Sequence, residues 1–257
     1  MKIEDFIPAL LLQPFIKTYR IIESQDELTN LVLPNTSLAI AFCFSGKNSY
    51  STNNGESLLP QTTFSGLRKS SRVINYAKNT STLVVLFQEC GAAAFFKEPL
   101  HELFETSIPL DCLIHPSEII IIEEQLSSAQ DNKQRIAIIE QFLTRRMNAH
   151  KLDQLIAKAI EEIHSAKGFV KIRALADHLY ISQDAFEKRF RKNVGTTPKQ
   201  FSSIVRMSSI IRQGQNNPKL LDILFEAGYY DQSHFNKDFK QFTGQTPTDF
   251  FKSDDFW

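Results

Sequence analysis

The chain has 257 residues, 42% of them hydrophobic, with 29 basic against 29 acidic side chains. That length and apolar content suffice for cores in two domains, while overall neutrality, taken alone, argues against a nucleic-acid partner. No apolar run approaches the ~18 residues of a membrane span, so no membrane partner is expected.

Residues 1–150 are acidic by three, 13 basic against 16 acidic. The start, residues 1–12, carries Glu4 and Asp5 and no small-residue cleavage site, which places the chain in the cytoplasm as an expectation. Short apolar runs at 15–22, 37–44, 73–77 and 83–88 suit strands, with Gly46, Asn53-Asn54-Gly55 and Gly66 as turns between them. The run Val84-Val85-Leu86-Phe87 reads as a buried central strand. Residues 91–96 look like a short helix start, halted before Pro99. Pro116-Ser117 opens a helix through Leu126, and Asp131 caps another that carries Ile136, Ile139, Phe142, Leu143 and Met147. That second helix either packs internally or pairs two subunits of a homodimer. Phe42, Phe44, Phe95 and Phe96 suit core packing better than an aromatic ligand cage, although an apolar effector pocket would use the same residues.

Cys43, Cys90 and Cys112 are far apart, odd in number and form no C-x-x-C, so buried thiols in a reducing compartment are expected. The functional alternative is a thiol sensor in which Cys90 or Cys112 reacts.

Residues 172–201 and 221–250 are two copies of one pattern, offset by 49 positions. Leu175, Tyr180, Gln183, Phe186, Lys188, Phe190, Gly195, Thr197, Pro198 and Phe201 recur as Leu224, Tyr229, Gln232, Phe235, Lys237, Phe239, Gly244, Thr246, Pro247 and Phe250, 10 identities in 30 ungapped positions. In the first copy Ile172, Leu175, Ala176 and Leu179 form one helix face, and Ser182 caps a second helix that buries Ala185, Phe186 and Phe190. Gly195 ends it and Pro198 blocks continuation. The second copy repeats this with Leu221, Leu224, Phe225, a turn at Gly228, Asp231 as cap, Phe235, Phe239, Gly244 and Pro247. A linker helix spans about 199–214. Two helices joined by a short turn form the helix-turn-helix plan, whose second helix enters the major groove of DNA. The alternative is a helical repeat protein that touches no DNA, but such arrays usually need at least three repeats.

At these residues the chain resembles the AraC/XylS class of bacterial transcription regulators. Each unit closes with F-x-x-x-x-G-x-x-P, as Phe190…Gly195…Pro198 and Phe239…Gly244…Pro247. The hallmark near the second unit, roughly G-[FY]-x-[DS]-x-S-x-F-x-[RK]-x-F-K, stands as Gly228-Tyr229-Tyr230-Asp231-Gln232-Ser233-His234-Phe235-Asn236-Lys237-Asp238-Phe239-Lys240. The resemblance covers about 152–252. Phe225 departs from it where the family carries a small Ala, and Ser209 and Ile210 replace a common Ala in the linker helix, which keeps Arg206. Residues 8–145 loosely resemble the sensory modules attached to some of these regulators. The resemblance implies an α+β chain: a β-rich, barrel-like regulatory module with helices over 1–150, then an all-α DNA-binding domain over 151–257. The latter holds units at about 172–198 and 221–247, joined by the linker helix. It also implies double-stranded DNA, RNA polymerase and a small-molecule effector as partners, and matches Gln183, Asp184, Glu187 and Lys188 to base-reading positions. Arg191 and Lys192, a turn further on, suit phosphates, and Gln232, Ser233, His234 and Lys237 hold the equivalent places in the second unit.

Charge localises the binding. Residues 167–219 contain 11 Lys/Arg and three acids, whereas 220–257 contain three Lys and seven Asp/Glu. Phosphate neutralisation supplies most non-specific affinity, so the first unit is expected to grip DNA more strongly. No catalytic, metal or cofactor site is expected. The six histidines form no H-x-x-x-H or H-E-x-x-H, and neither a phosphate loop nor a Gly-x-Ser-x-Gly elbow is present. The rival reading is a small-molecule sensor that acts through protein contacts because its second unit no longer docks.

Overall fold

Alternating burial along short strands sorts the N-terminal half of the computed structural model into two antiparallel sheets, a barrel-like sandwich. The structure describes residues 1–52, 55–148, 152–216 and 232–252, and side chains outside 215–216. One sheet runs β1 (Lys2–Phe6), β2 (Ile16–Ser24), β9 (Thr80–Phe87), β4 (Ala39–Ser45), β7 (Thr62–Ser65), β10 (Ser107–Pro109) in spatial order. The other runs β3 (Leu28–Val32), β8 (Arg72–Tyr76), β5 (Asn48–Thr52), β6 (Gly55–Leu58). The four expected strands are β2, β4, β8 and β9, and β9 is indeed central, with Val85 opposite both Tyr19 and Ile40. The remaining six went unread because they are short and largely polar, as in KIEDF, NSYST and GESL. Their apolar positions are too few to show a period of two.

Tyr19, Phe42, Phe64 and Phe87 fill the sandwich interior, and Phe95 and Phe96 seal it, with Phe96 edge-on to Phe64 at 4.9 Å. Phe44 is half-buried under the Arg135 guanidinium. The 91–96 stretch is a single 3-10 turn, Gly91–Ala94, and a second follows at Leu100–Leu103. Helix α1 (Pro116–Ser128) and α2 (Asn132–Arg146) then pack against each other, the latter capped by Asp131, which accepts from the Gln134 N–H at 2.8 Å. Ile136, Ile139, Phe142 and Leu143 are all buried, so the apolar face of α2 is taken up inside the chain.

The C-terminal part opens with α3 (Gln154–Ser165), which the sequence reading did not resolve, and continues through α4 (Ile172–His178) and α5 (Gln183–Val194). The linker helix α6 (Pro198–Asn216) leads to α7 (Gln232–Thr243) and the short α8 (Pro247–Phe250). The expected first helix of the second unit, with Leu221, Leu224, Phe225, Gly228 and the cap Asp231, lies outside the described residues. Phe186, Phe190 and Phe201 meet in sequence at 5.7 and 5.5 Å, and their repeat equivalents Phe235, Phe239 and Phe250 meet at 5.3 and 5.1 Å. All six are fully buried. Helix α6 serves both clusters: Phe201 and Val205 join the core that runs continuously from the sandwich, and Ile204, Met207, Ile210 and Ile211 join the second.

Cys43 and Cys90 are buried, and burial pushes both thiols up, Cys90 to about 12. Cys112 is exposed in a 3-10 turn, against the expectation of three buried thiols; its loop lies at the surface although Leu110 beside it is buried. Titration of native protein with a thiol reagent at neutral pH should therefore modify one cysteine promptly, and the other two only on unfolding.

Candidate nucleic-acid interface

Ser182 starts α5 by accepting from the Ala185 N–H at 3.3 Å, and Gly195 ends it at φ +91°, a conformation glycine adopts without penalty. Between those stops Phe186, Phe190 and Val194 bury one face, so the residues between them point outward. Gln183, Asp184, Lys188, Arg191 and Lys192 are exposed on a single helix. Glu187 is half-buried and accepts from Gln183 Nε2 at 2.8 Å, which holds both side chains in place on the outer face. On α7, Gln232, Ser233, His234 and Lys237 are exposed as well, and His234 lies 3.7 Å from the Asp238 carboxylate.

Asp153 sets the angle of α5. Its carboxylate caps α3 by accepting from the Ile156 N–H at 3.2 Å and also accepts from Arg189 Nη2 at 3.0 Å and from Asn193. The Asp153 hydrogen bond raises the Arg189 guanidinium above its ordinary value. Neither this cap nor its partner 36 residues away was read from the sequence.

The N-terminal half touches the ends of α5 and α7 at the same repeat position. A Cβ on Gly195 would stand 3.2 Å from the Leu100 carbonyl oxygen, and one on Gly244 would stand 3.2 Å from Ser71 Oγ. The Ser71 N–H also donates to the Phe242 carbonyl at 3.1 Å. Beside the first seat, His101 shares an open hollow of about 460 Å³ with Asp184, Glu187, Lys188 and Arg191, and its Nδ1 is buried without a hydrogen-bond partner. A third tie joins Glu89, just after β9, to His164 Nε2 at 3.1 Å and to the Thr36 hydroxyl at 3.0 Å.

Residues 175–253 match a family described as a helix-turn-helix domain, and residues 4–109 match a domain of unknown function, DUF6597. An HTH-type transcriptional regulator of Haemophilus influenzae, itself uncharacterized, is 32% identical over 85 residues, which is 32% of this chain and 28% of that protein. The ToxT structure from Vibrio cholerae is similar at 12% identity and a TM-score of 0.49, over 91% of this chain and 97% of ToxT. The AraC-like transcriptional activator CuxR is similar at 12% identity and a TM-score of 0.24, over 82% and 86%. The stretch that matches a helix-turn-helix domain thus lies in the C-terminal part of the chain, behind a β-rich N-terminal module. Among the described residues no helix is long and apolar enough to cross a membrane.

Burial by itself pushes the Glu89 carboxyl up, but hydrogen bonds from His164, its own backbone and Thr36 outweigh it and hold the group below its ordinary 4.5. The stabilisation from this tie is thus fully present above pH ~4.5 and is lost as pH falls through the folded-state value. Thermal melts of wild type and Glu89→Gln across pH 3–7 should show wild type losing its advantage on the acid side only.

Proposed function

We propose that the chain is a sequence-specific, DNA-binding transcription regulator whose N-terminal module controls how the two reading helices meet the duplex. The observation that carries this reading is the outward stripe of α5, polar and basic, on a helix whose other face is fixed by buried phenylalanine. In a major groove, Gln183 suits adenine, Asp184 or Glu187 accepts from cytosine, and Lys188 donates to guanine. Arg191 and Lys192, in the last turn of α5, suit phosphates, which position the protein without reading sequence. Helix α7, with Gln232, Ser233, His234 and Lys237, enters the next groove face about one helical turn (~10 bp) away.

The first unit supplies most of the grip. Three Lys against seven Asp/Glu in 220–257 leave the second unit acidic, and the Asp238 carboxylate stands 3.7 Å from His234 on α7. A signal at the N-terminal module, such as a small-molecule effector, reaches DNA through the seats at Gly195 and Gly244. Moving the sandwich against either seat re-aims the helix that ends there. Pairing of two subunits would raise apparent affinity through effective concentration, and contact with RNA polymerase would convert occupancy into transcription.

The test uses the full chain and a genomic fragment selected by its own binding. Lys188→Ala should weaken binding and relax preference at one base pair by roughly 1–3 kcal/mol. Arg191→Ala should weaken all sequences alike and flatten the salt dependence by about one unit of log–log slope. Identical effects of the two on every sequence would overturn the assignment of base readers.

A further inference from the structure

Tyr180 stands in the turn between α4 and α5 with φ +55°, a left-handed conformation that bulky residues seldom adopt. Its side chain is 98% exposed, so packing does nothing to keep an aromatic residue there. The turn closes through backbone groups alone, the Tyr180 N–H donating to Asp177 O and the Ile181 N–H to Ala176 O, each at 3.1 Å. Asn would form the same bonds at less conformational cost. The fold therefore gains nothing from the phenol ring and is strained by it, and strain of this kind collects at functional sites.

We propose that Tyr180 is a positioning residue whose hydroxyl donates to a phosphate on the groove wall beside the N-terminal end of α5. This rests on the DNA-binding reading above. An α-helix with its side chains is about 10–12 Å across and a major groove about 12 Å wide. Once α5 fills the groove, the residues flanking the helix are those that meet the sugar–phosphate walls. Tyr180 flanks it two positions before the Ser182 cap and three before Gln183, the first outward residue. Lys171 and Arg173 are exposed at the start of α4, on the same unit. Tyrosine is an uncharged donor. Its contact adds affinity without reading sequence and without releasing a counterion.

The test compares Tyr180→Phe and Tyr180→Asn with wild type and Arg191→Ala, all as full chains on one selected DNA fragment and one unrelated fragment. Phe keeps the backbone strain and removes only the hydroxyl. It should leave Tm unchanged and weaken both DNAs about tenfold, with the salt slope intact. Asn should raise Tm by about 2 °C yet weaken binding to the same extent. Undiminished affinity in both variants, alongside a normal loss and flattened slope for Arg191→Ala, would overturn this role and leave the regulator reading standing. A wild-type chain that forms no salt-dependent complex would overturn both.

Discussion

Helices α5 and α7 are each held by three phenylalanines that meet ring to ring, two on the helix and one on the segment after the proline. Phe186, Phe190 and Phe201 do this in the first unit, and Phe235, Phe239 and Phe250 in the second, all without solvent exposure. Aromatic pairs at such spacing add about 0.5–1.5 kcal/mol each beyond the area they bury. More important is their direction. Fixing one face of a helix by large, rigid side chains fixes the opposite face as well, and on α5 that face carries Gln183, Asp184, Lys188 and Arg191.

The same constraint couples the two halves of the chain. The first aromatic trio belongs to a core continuous with the N-terminal sandwich, whereas the second forms a separate cluster joined through α6. Seats at the two helix-ending glycines and the Glu89–His164 tie add polar and steric contacts to that continuity. The N-terminal half meets α5 through Leu100, and it meets α7 through Ser71 and, with Leu33 packed against the second cluster, through a smaller apolar contact.

Helices α5, α6 and α7 were legible in the sequence because their signals are local. Ser182, Gly195, the phenylalanine spacing and Pro198 each act within one turn of where they stand, and the 49-residue repeat states the phenylalanines, the glycine and the proline twice. The central strand β9 was legible for a similar reason, as an unbroken apolar run. What stayed hidden depends on partners distant in the chain. Asp153 meeting Arg189, Leu100 meeting Gly195 and Ser71 meeting Phe242 leave no periodic trace. Polar strands such as β5 and β6 are strands only because neighbours complete their ladders. Tyr180 was visible as a repeated residue, but its positive φ and full exposure needed coordinates to become meaningful.

Electrostatics sharpen the asymmetry between the units, since the basic side chains gather over the first while the chain as a whole is neutral. The most direct measurement is hydroxyl-radical footprinting of the full chain on the genomic fragment it binds most tightly, at low and moderate salt. Protection on one face of the duplex is predicted, in two segments about 10 bp apart, with the weaker segment fading first as salt rises. A complex that protects no backbone, or one whose protection is indifferent to salt, would contradict the account.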